Sequence, residues 1–242
     1  MLTGGDDARE APLAAAPRVV DRTVEVVRVT DLTAWYRRID FVAEGLLSRL
    51  ALAPGAYLMV SPPAPAGLRP TQRAYTVVRP VPARAQSELD RFSLEFVLHD
   101  PAGPASAWAA QARPGDRIQV SDPPYHFELP QPLAQAWLVA DSAAVPALRS
   151  ILDRLPAAVP AQVVLVDPRP DRELVFDHDR PGASVAWLDR LTAADLADWA
   201  VDPDQDWLWA AGQRDLVKTV RALARGPWRL DRSRQHLQTY WI

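Results

Sequence analysis

The hydrophobic rhythm of the chain changes near residue 130, and no single layered architecture accommodates both rhythms. From residue 18 up to that point, six short segments alternate apolar and polar residues: "RTVEVVRVTDL", "AWYRRIDFVAE", "GAYLMVSPP", "RAYTVV", "RFSLEFVLHD" and "GDRIQVSDPP". Pro and Gly turns separate them. A period of two marks a strand with one buried face, and several such strands joined by turns predict a small antiparallel barrel. Beyond residue 130, the apolar runs "AWLVAD", "AQVVLVD", "ASVAWLDR" and "DWLWAAG" alternate with the helix-like "AAVPALRSILDRL", "AADLADWA" and "QRDLVKTVRALAR". Apolar runs without alternation are strands covered on both faces, as in a parallel doubly wound sheet. The expected fold is therefore mixed β and α/β. An antiparallel β-barrel over 18–130 precedes a doubly wound α/β domain over 131–242, and 1–17 form an Ala-rich disordered tail. A chain of 242 residues is long enough to give each domain its own core.

Several function classes are excluded by composition. The chain has no Cys, which removes disulfides, thiol catalysis and thiolate metal sites together. Its four histidines, His99, His126, His178 and His236, lack any HxxxH or HxH spacing, so no metal site is expected. A formal charge of −3 with scattered Arg predicts no nucleic-acid surface. Acidic residues stand where a secretory signal needs basic ones, and no apolar stretch reaches membrane-spanning length, so a cytoplasmic protein off the membrane is expected. Lys218 is the only lysine, which confines amine chemistry to one position. The nine Trp read as core packing.

Three stretches could carry chemistry. In "RAYTVV", alternation puts Arg73, Tyr75 and Val77 on one face and Ala74, Thr76 and Val78 on the other. A guanidinium on such a face requires an anion or solvent, since an unpaired buried charge is costly. An open α/β sheet binds ligands at the carboxyl ends of its strands, where helix N-termini present free N–H groups. Two such turns are visible, "VADSAAVPA", where Ser142 can cap a helix opening at Ala143, and "WAAGQRD", where Gly212 ends a strand. Neither is a GxGxxG fingerprint, and an ordinary strand-to-helix turn explains either one. In "HDPAGPASAWA", residues 99–109, Gly103, Pro104 and Ser106 open a helix whose N–H groups and hydroxyl suit an anion or simply cap a turn. His99 ends the preceding strand and reads as a ligand contact. No Ser-His-Asp order, nucleophile elbow or paired-carboxylate motif occurs.

Taken in order, "RAYTVVR", "FVLHDPAGPASAWA", "VADSAAVPAL" with "ILDRLP", "WAAGQRDLVKTVRALAR" and the terminal "YWI" resemble the siderophore-interacting proteins. These are FAD-dependent ferric-siderophore reductases related to the ferredoxin-reductase fold. The resemblance implies that Arg73 meets a flavin phosphate, Tyr75 packs on the isoalloxazine ring and Thr76 lies near its reactive edge. Because Thr76 points away from Arg73 in a regular strand, its contact requires a bend or the backbone N–H. His99, Gly103, Pro104, Ala105 and Ser106 would hold the rest of FAD, with Asp141 and Ser142 as further cofactor contacts. Tyr125, His126, Gln213 and Trp241 would line the substrate pocket. NAD(P)H or an electron-donor protein would reduce the flavin, which reduces Fe(III) chelate to Fe(II).

The chain departs from the family where relatives carry basic residues. Leu58 or Met59 stands for a lysine, Pro124 and Tyr125 replace an Arg-Gly pair, and the chain stops at Ile242 where relatives continue with a basic residue. Ala140, Ser142 and Gln213 replace a glycine and two acids. A nearly neutral, aromatic pocket raises an alternative within the same fold. The substrate would then be an apolar organic molecule of a biosynthetic pathway, and the flavin could have a non-redox role.

Overall fold

A computed structural model describes residues 21–48, 50, 52–63, 71–85 and 88–242, so the expected tail over 1–17 lies outside the described residues. Seven strands form one antiparallel sheet: β1 (Asp21–Thr33), β2 (Tyr36–Ala43), β3 (Tyr57–Ser61), β4 (Arg73–Thr76), β5 (Val78–Val81), β6 (Asp90–Val97) and β7 (Arg117–Ser121). Their order is β4-β3-β7-β1-β2-β6-β5. The edge strands β4 and β5 are joined through Val77 alone, so the sheet must roll up until its edges meet.

"RAYTVV" is thus two strands rather than the single one expected from its alternation. Val77 donates its N–H to the Ala56 carbonyl at 2.8 Å and buries its side chain. The chain then changes partners, from β3 to β6, and Arg79 takes a left-handed φ of 51°. Inside, Phe41 and Phe92 stack at 5.4 Å among Val24, Ile39, Leu58 and Ile118. Helix α1 (Pro104–Gln111) lays Trp108 against Phe41 and Phe96.

Five parallel strands form the second sheet: β8 (Ala136–Asp141), β9 (Ala161–Val166), β10 (Ala183–Leu188), β11 (Trp207–Gln213) and β12 (Gln235–Trp241). The order β10-β9-β8-β11-β12 reverses direction between β8 and β11. Helices α2 (Val145–Arg154) and α3 (Arg214–Arg225) pack into separate cores on opposite faces. Every residue of β8 is buried, as the unbroken apolar run predicted. One local expectation is corrected. "AADLADWA" makes only a 3-10 turn at Ala193–Leu196, held by reciprocal bonds between Thr192 and Asp195, because four residues of spacing bury little besides Leu196. The terminal segment with "YW" is a sheet strand, β12, recruited by pairing with β11.

The two sheets share a core. Buried Tyr36, with Trp35 and Val97 of the barrel, packs into the α2 cluster of the parallel sheet. At the far end of α2, Arg180 donates to the carbonyls of Leu152, Leu155, Pro156 and Val159, which the helix and its following turn leave unsatisfied.

Candidate functional site

The reversal of strand order between β8 and β11 opens a crevice at their carboxyl ends, where open α/β sheets take their ligands. Asp141 ends β8 there. Its Oδ2 accepts from the Gln213 N–H and from the Trp241 indole N–H, both at 2.7 Å, and its Oδ1 accepts from the Ala143 N–H at 3.0 Å. One carboxyl therefore ties together the ends of β8, β11 and β12. The approach is close enough that Gly212, with φ 137°, has no room for a side chain: a Cβ would stand 2.4 Å from Asp141 Cγ. Trp241 keeps 48% of its surface exposed and so faces the crevice as well as its anchor.

Burial pushes the Asp141 carboxyl up to about 6, against the opposing pull of these N–H donors. Its folded pKa lies above the unfolded value of 3.8, so the folded state holds its proton through a window where the unfolded chain has lost it. The contribution of Asp141 to stability should accordingly be present below about pH 4 and decline by about 3 kcal/mol as pH rises to about 6. Denaturant unfolding of the wild type and Asp141→Asn across pH 4 to 7 checks this, since their difference should change by that amount, with the wild type losing ground. A pH-independent difference would contradict it.

Tyrosines from both sheets meet beside this anchor. The Tyr240 phenol is pushed up by burial, and then by Tyr125 and Asp141, while a hydrogen bond with Thr76 opposes the rise. Tyr57 and Tyr125 meet edge to face at 5.5 Å, and the Tyr125 hydroxyl donates to the Pro54 carbonyl at 2.7 Å. Thr76, Tyr125, Asp141, Gln213 and Trp241, singled out at separate places in the sequence, thus surround one crevice. His126 stays on the surface with its Nε2 3.2 Å from Glu128. Ser142 does not cap the helix as expected: α2 begins at Val145 behind Ala144, and the Ser142 hydroxyl instead donates to Asp167 Oδ2 at 2.6 Å. Asp167, at the end of β9, also binds Arg169, whose guanidinium lies 4.0 Å over the Trp35 ring of the barrel.

At the barrel edge, Tyr75 packs on Phe96 at 4.3 Å between ring centroids. Burial pushes its phenol up to about 12, with the Arg73 guanidinium opposing, which places Arg73 beside it on the face that alternation assigned. Arg73 is exposed and, among the described residues, pairs with no carboxylate; its one hydrogen bond is to the Gln72 carbonyl. Thr76 is buried on the other face, toward Tyr240, and β4 ends at it, where the chain changes partner at Val77. Phe96 also touches Trp108 of α1, bringing that helix to the same end of the barrel. Ser106 accepts from the His99 N–H at 3.2 Å, and the exposed His99 ring lies over Gly103 with Nδ1 2.7 Å from the Pro101 carbonyl. Among the described residues no backbone acceptor takes the N–H groups of Ala105 and Ser106, whereas Ala107 already bonds Gly103. An unpaired cation and two free N–H donors at one barrel end fit the phosphates of a dinucleotide such as FAD.

One arrangement has no signal in the sequence. Glu95 on β6, its side chain 1% exposed, accepts at Oε2 from the Tyr36 hydroxyl at 2.9 Å and from Arg149 of α2. "FSLEFVL" reads as a strand with a polar outward residue, and only the docking of α2 turns that position into the interior. No group of three or more potential metal ligands occurs among the described residues, and no described helix is long and apolar enough to cross a membrane.

Comparison with known proteins gives a consistent result. Residues 58–127 match the family model described as the siderophore-interacting FAD-binding domain, and residues 133–242 match that of the siderophore-interacting protein. Over 227 residues the chain is 31% identical to the mycobactin import ATP-binding/permease protein IrtA of Mycobacterium tuberculosis, covering 91% of this chain and 26% of that protein. It is 32% identical over 161 residues to the NADPH-dependent ferric-chelate reductase of Escherichia coli, covering 64% of this chain and 61% of that one. The chain therefore spans about a quarter of the first relative's length and about three fifths of the second's. The solved siderophore-interacting protein of Acinetobacter baumannii superposes with a TM-score of 0.78 at 21% identity, covering 92% of this chain and 90% of that one, which establishes the shared fold.

Proposed function

The chain belongs to the siderophore-interacting protein family, and from that premise we propose that it is an FAD-dependent oxidoreductase that reduces chelated Fe(III) to Fe(II) with NAD(P)H as donor. The observation that carries the reading is the pairing of an FAD-binding-domain match over β3 to β7 with a barrel end where, among the described residues, Arg73 has no carboxylate partner and the first helix N–H donors have no backbone acceptor. Arg73 and the N–H groups of Ala105 and Ser106 would neutralise the phosphates, with His99 and Gly103 shaping the turn around them. Tyr75 would support the flavin ring, and Thr76 would reach its edge from the crevice side of the Val77 bend. Asp141, by holding Trp241, would keep an indole across the crevice mouth and limit water there. When bound, FAD supplies the step between a two-electron donor and a one-electron acceptor, so one NAD(P)H reduces two Fe(III) and releases one proton.

The visible absorbance of the purified protein tests the cofactor, and Arg73→Ala should lower FAD affinity by roughly tenfold or more, the scale of a hydrogen-bonded charge contact. Reduction is tested by following Fe(II) with a chromogenic chelator in the presence of NAD(P)H and an Fe(III) chelate. Bound flavin with no Fe(II) formed would count against the reductase reading. One observation favours a second acceptor class: the crevice has an aromatic wall formed by Tyr57, Tyr125 and Tyr240. Flavin turnover with a neutral aromatic acceptor and none with iron chelates would select it.

A further inference from the structure

Below the aromatic wall, where α2 faces the β4–β5 crossover, lies an open cleft of about 290 Å³. Its sides are apolar, with Leu52 and Val78 from the barrel and Pro146 from α2, but three guanidinium groups also line it, those of Arg79, Arg149 and Arg154. Arg79 and Arg154 are exposed, and neither pairs with a carboxylate among the described residues. Arg149 gives one nitrogen to buried Glu95, while its buried Nε has no partner. Behind them Arg38 is pushed down, first by its burial and then by the nearby Arg79 charge. Among the described residues only Asp153 brings a carboxylate to the lining, and it lies 3.3 Å from His178. Cations are thus gathered with too few acids, in a chain whose formal charge is −3.

The backbone adds an independent sign. Arg79 adopts a left-handed φ of 51°, a conformation unfavourable for any residue with a long side chain and one that tends to persist where function requires it. The turn holds the Arg79 side chain at the cleft when glycine would satisfy the backbone better.

We propose that this cleft is a binding subsite for an anionic group, a carboxylate or phosphate carried on an apolar body, held by the exposed guanidinium groups of Arg79 and Arg154. Forked guanidinium donors match such oxyanions, and the Leu52, Val78 and Pro146 surfaces match the body. The subsite stands on the cleft itself; it rests on the proposed function only in identifying the anion as the rim of the ferric chelate.

The test titrates flavin-loaded protein with 1-naphthoate and with the isosteric neutral 1-naphthamide by calorimetry. Naphthoate should bind at least tenfold more tightly than the amide, and Arg79→Ala/Arg154→Ala should erase that preference. Equal binding of acid and amide, or naphthoate affinity unchanged in the double variant, overturns the subsite. Arg79→Gly guards against a folding artefact. It should melt no lower than the wild type yet bind naphthoate more weakly, and a weakening that only follows a lowered melting temperature would also overturn it. Two ferric chelates distinguish the sources of the anion. If it is the chelate's rim, the double variant raises KM for Fe(III)–citrate at least tenfold, leaving kcat and the KM for the neutral tris(acetohydroxamato) complex unchanged. If naphthoate binding weakens while neither KM moves, the subsite holds for a separate anion. Absence of iron reduction in the wild type would remove the reductase reading and leave the naphthoate result standing.

Discussion

Replacing Arg149 by Ala should destabilise the protein by about 3–5 kcal/mol, the range expected when one partner of a buried ion pair is removed. The Glu95 side chain is 1% exposed, and its Oε2 depends on Arg149 and on the Tyr36 hydroxyl. Its Oε1 already lacks a partner, so the site has no spare donor to take over. Burial, reinforced by Glu95, pushes the Tyr36 phenol well above its ordinary range, so Tyr36 stays a neutral donor and cannot replace the lost charge. Removal of the guanidinium would strand a carboxylate at the junction of β2, β6 and α2. Urea unfolding at neutral pH measures the cost, and Glu95→Gln/Arg149→Met should recover most of it, because a packed neutral pair no longer carries a buried charge. A loss below about 1 kcal/mol in the single variant would mean that water reaches Glu95 and that the pair does not fasten the domains together.

Gly212→Ala is expected to cost about 3 kcal/mol or more and to release the C-terminal strand. Its backbone sits at φ 137°, and a Cβ would meet the Asp141 carboxyl carbon at 2.4 Å. Asp141 cannot move aside cheaply while three N–H groups hold it. If it does move, Trp241 loses its anchor and the last residues of β12 become open to exchange. Amide hydrogen exchange over Gln235–Trp241 should therefore quicken in Gly212→Ala beyond what its lower stability explains. Gly115→Ala is the matched control. Its φ is 91° but nothing lies within 4 Å of the added methyl, so only the backbone cost of about 1 kcal/mol applies. Equal effects at the two positions would show that the Asp141 contact is unimportant.

Much of the architecture was legible in the chain because burial writes its period into the sequence. The alternation in "YRRIDFVA" matches a strand whose Tyr36, Ile39, Phe41 and Ala43 are buried. The continuous run "AWLVAD" matches a strand buried along its whole length. Arg73 beside Tyr75 follows from the same period. Where a few apolar residues leave the period ambiguous, the reading was wrong or silent. "AADLADWA" was too short to distinguish a helix from a single 3-10 turn, and the mixed "QHLQTYW" became a strand only by pairing with β11. The split of "RAYTVV" at Val77 was likewise hidden, since alternation continues across a change of partner.

Of the candidate site, the sequence could name Thr76, Tyr125, Asp141, Gln213 and Trp241 but not their common address. Asp141 and Trp241 lie 100 positions apart, and Arg149 and Glu95 lie 54 apart. Propensity and periodicity report how each residue meets its near neighbours and which face it turns inward; they carry no information on which distant side chain shares that interior. The sequence by itself therefore determined an antiparallel sheet followed by a parallel one, most of their element types and the inward faces. Tertiary structure decided that Glu95 is buried, that Ser142 serves Asp167 rather than a helix end, and that three scattered arginines share one cleft. The physical reason is that burial of a charged group, and the energy of its partner, exist only after the barrel and the α2 layer have come into contact.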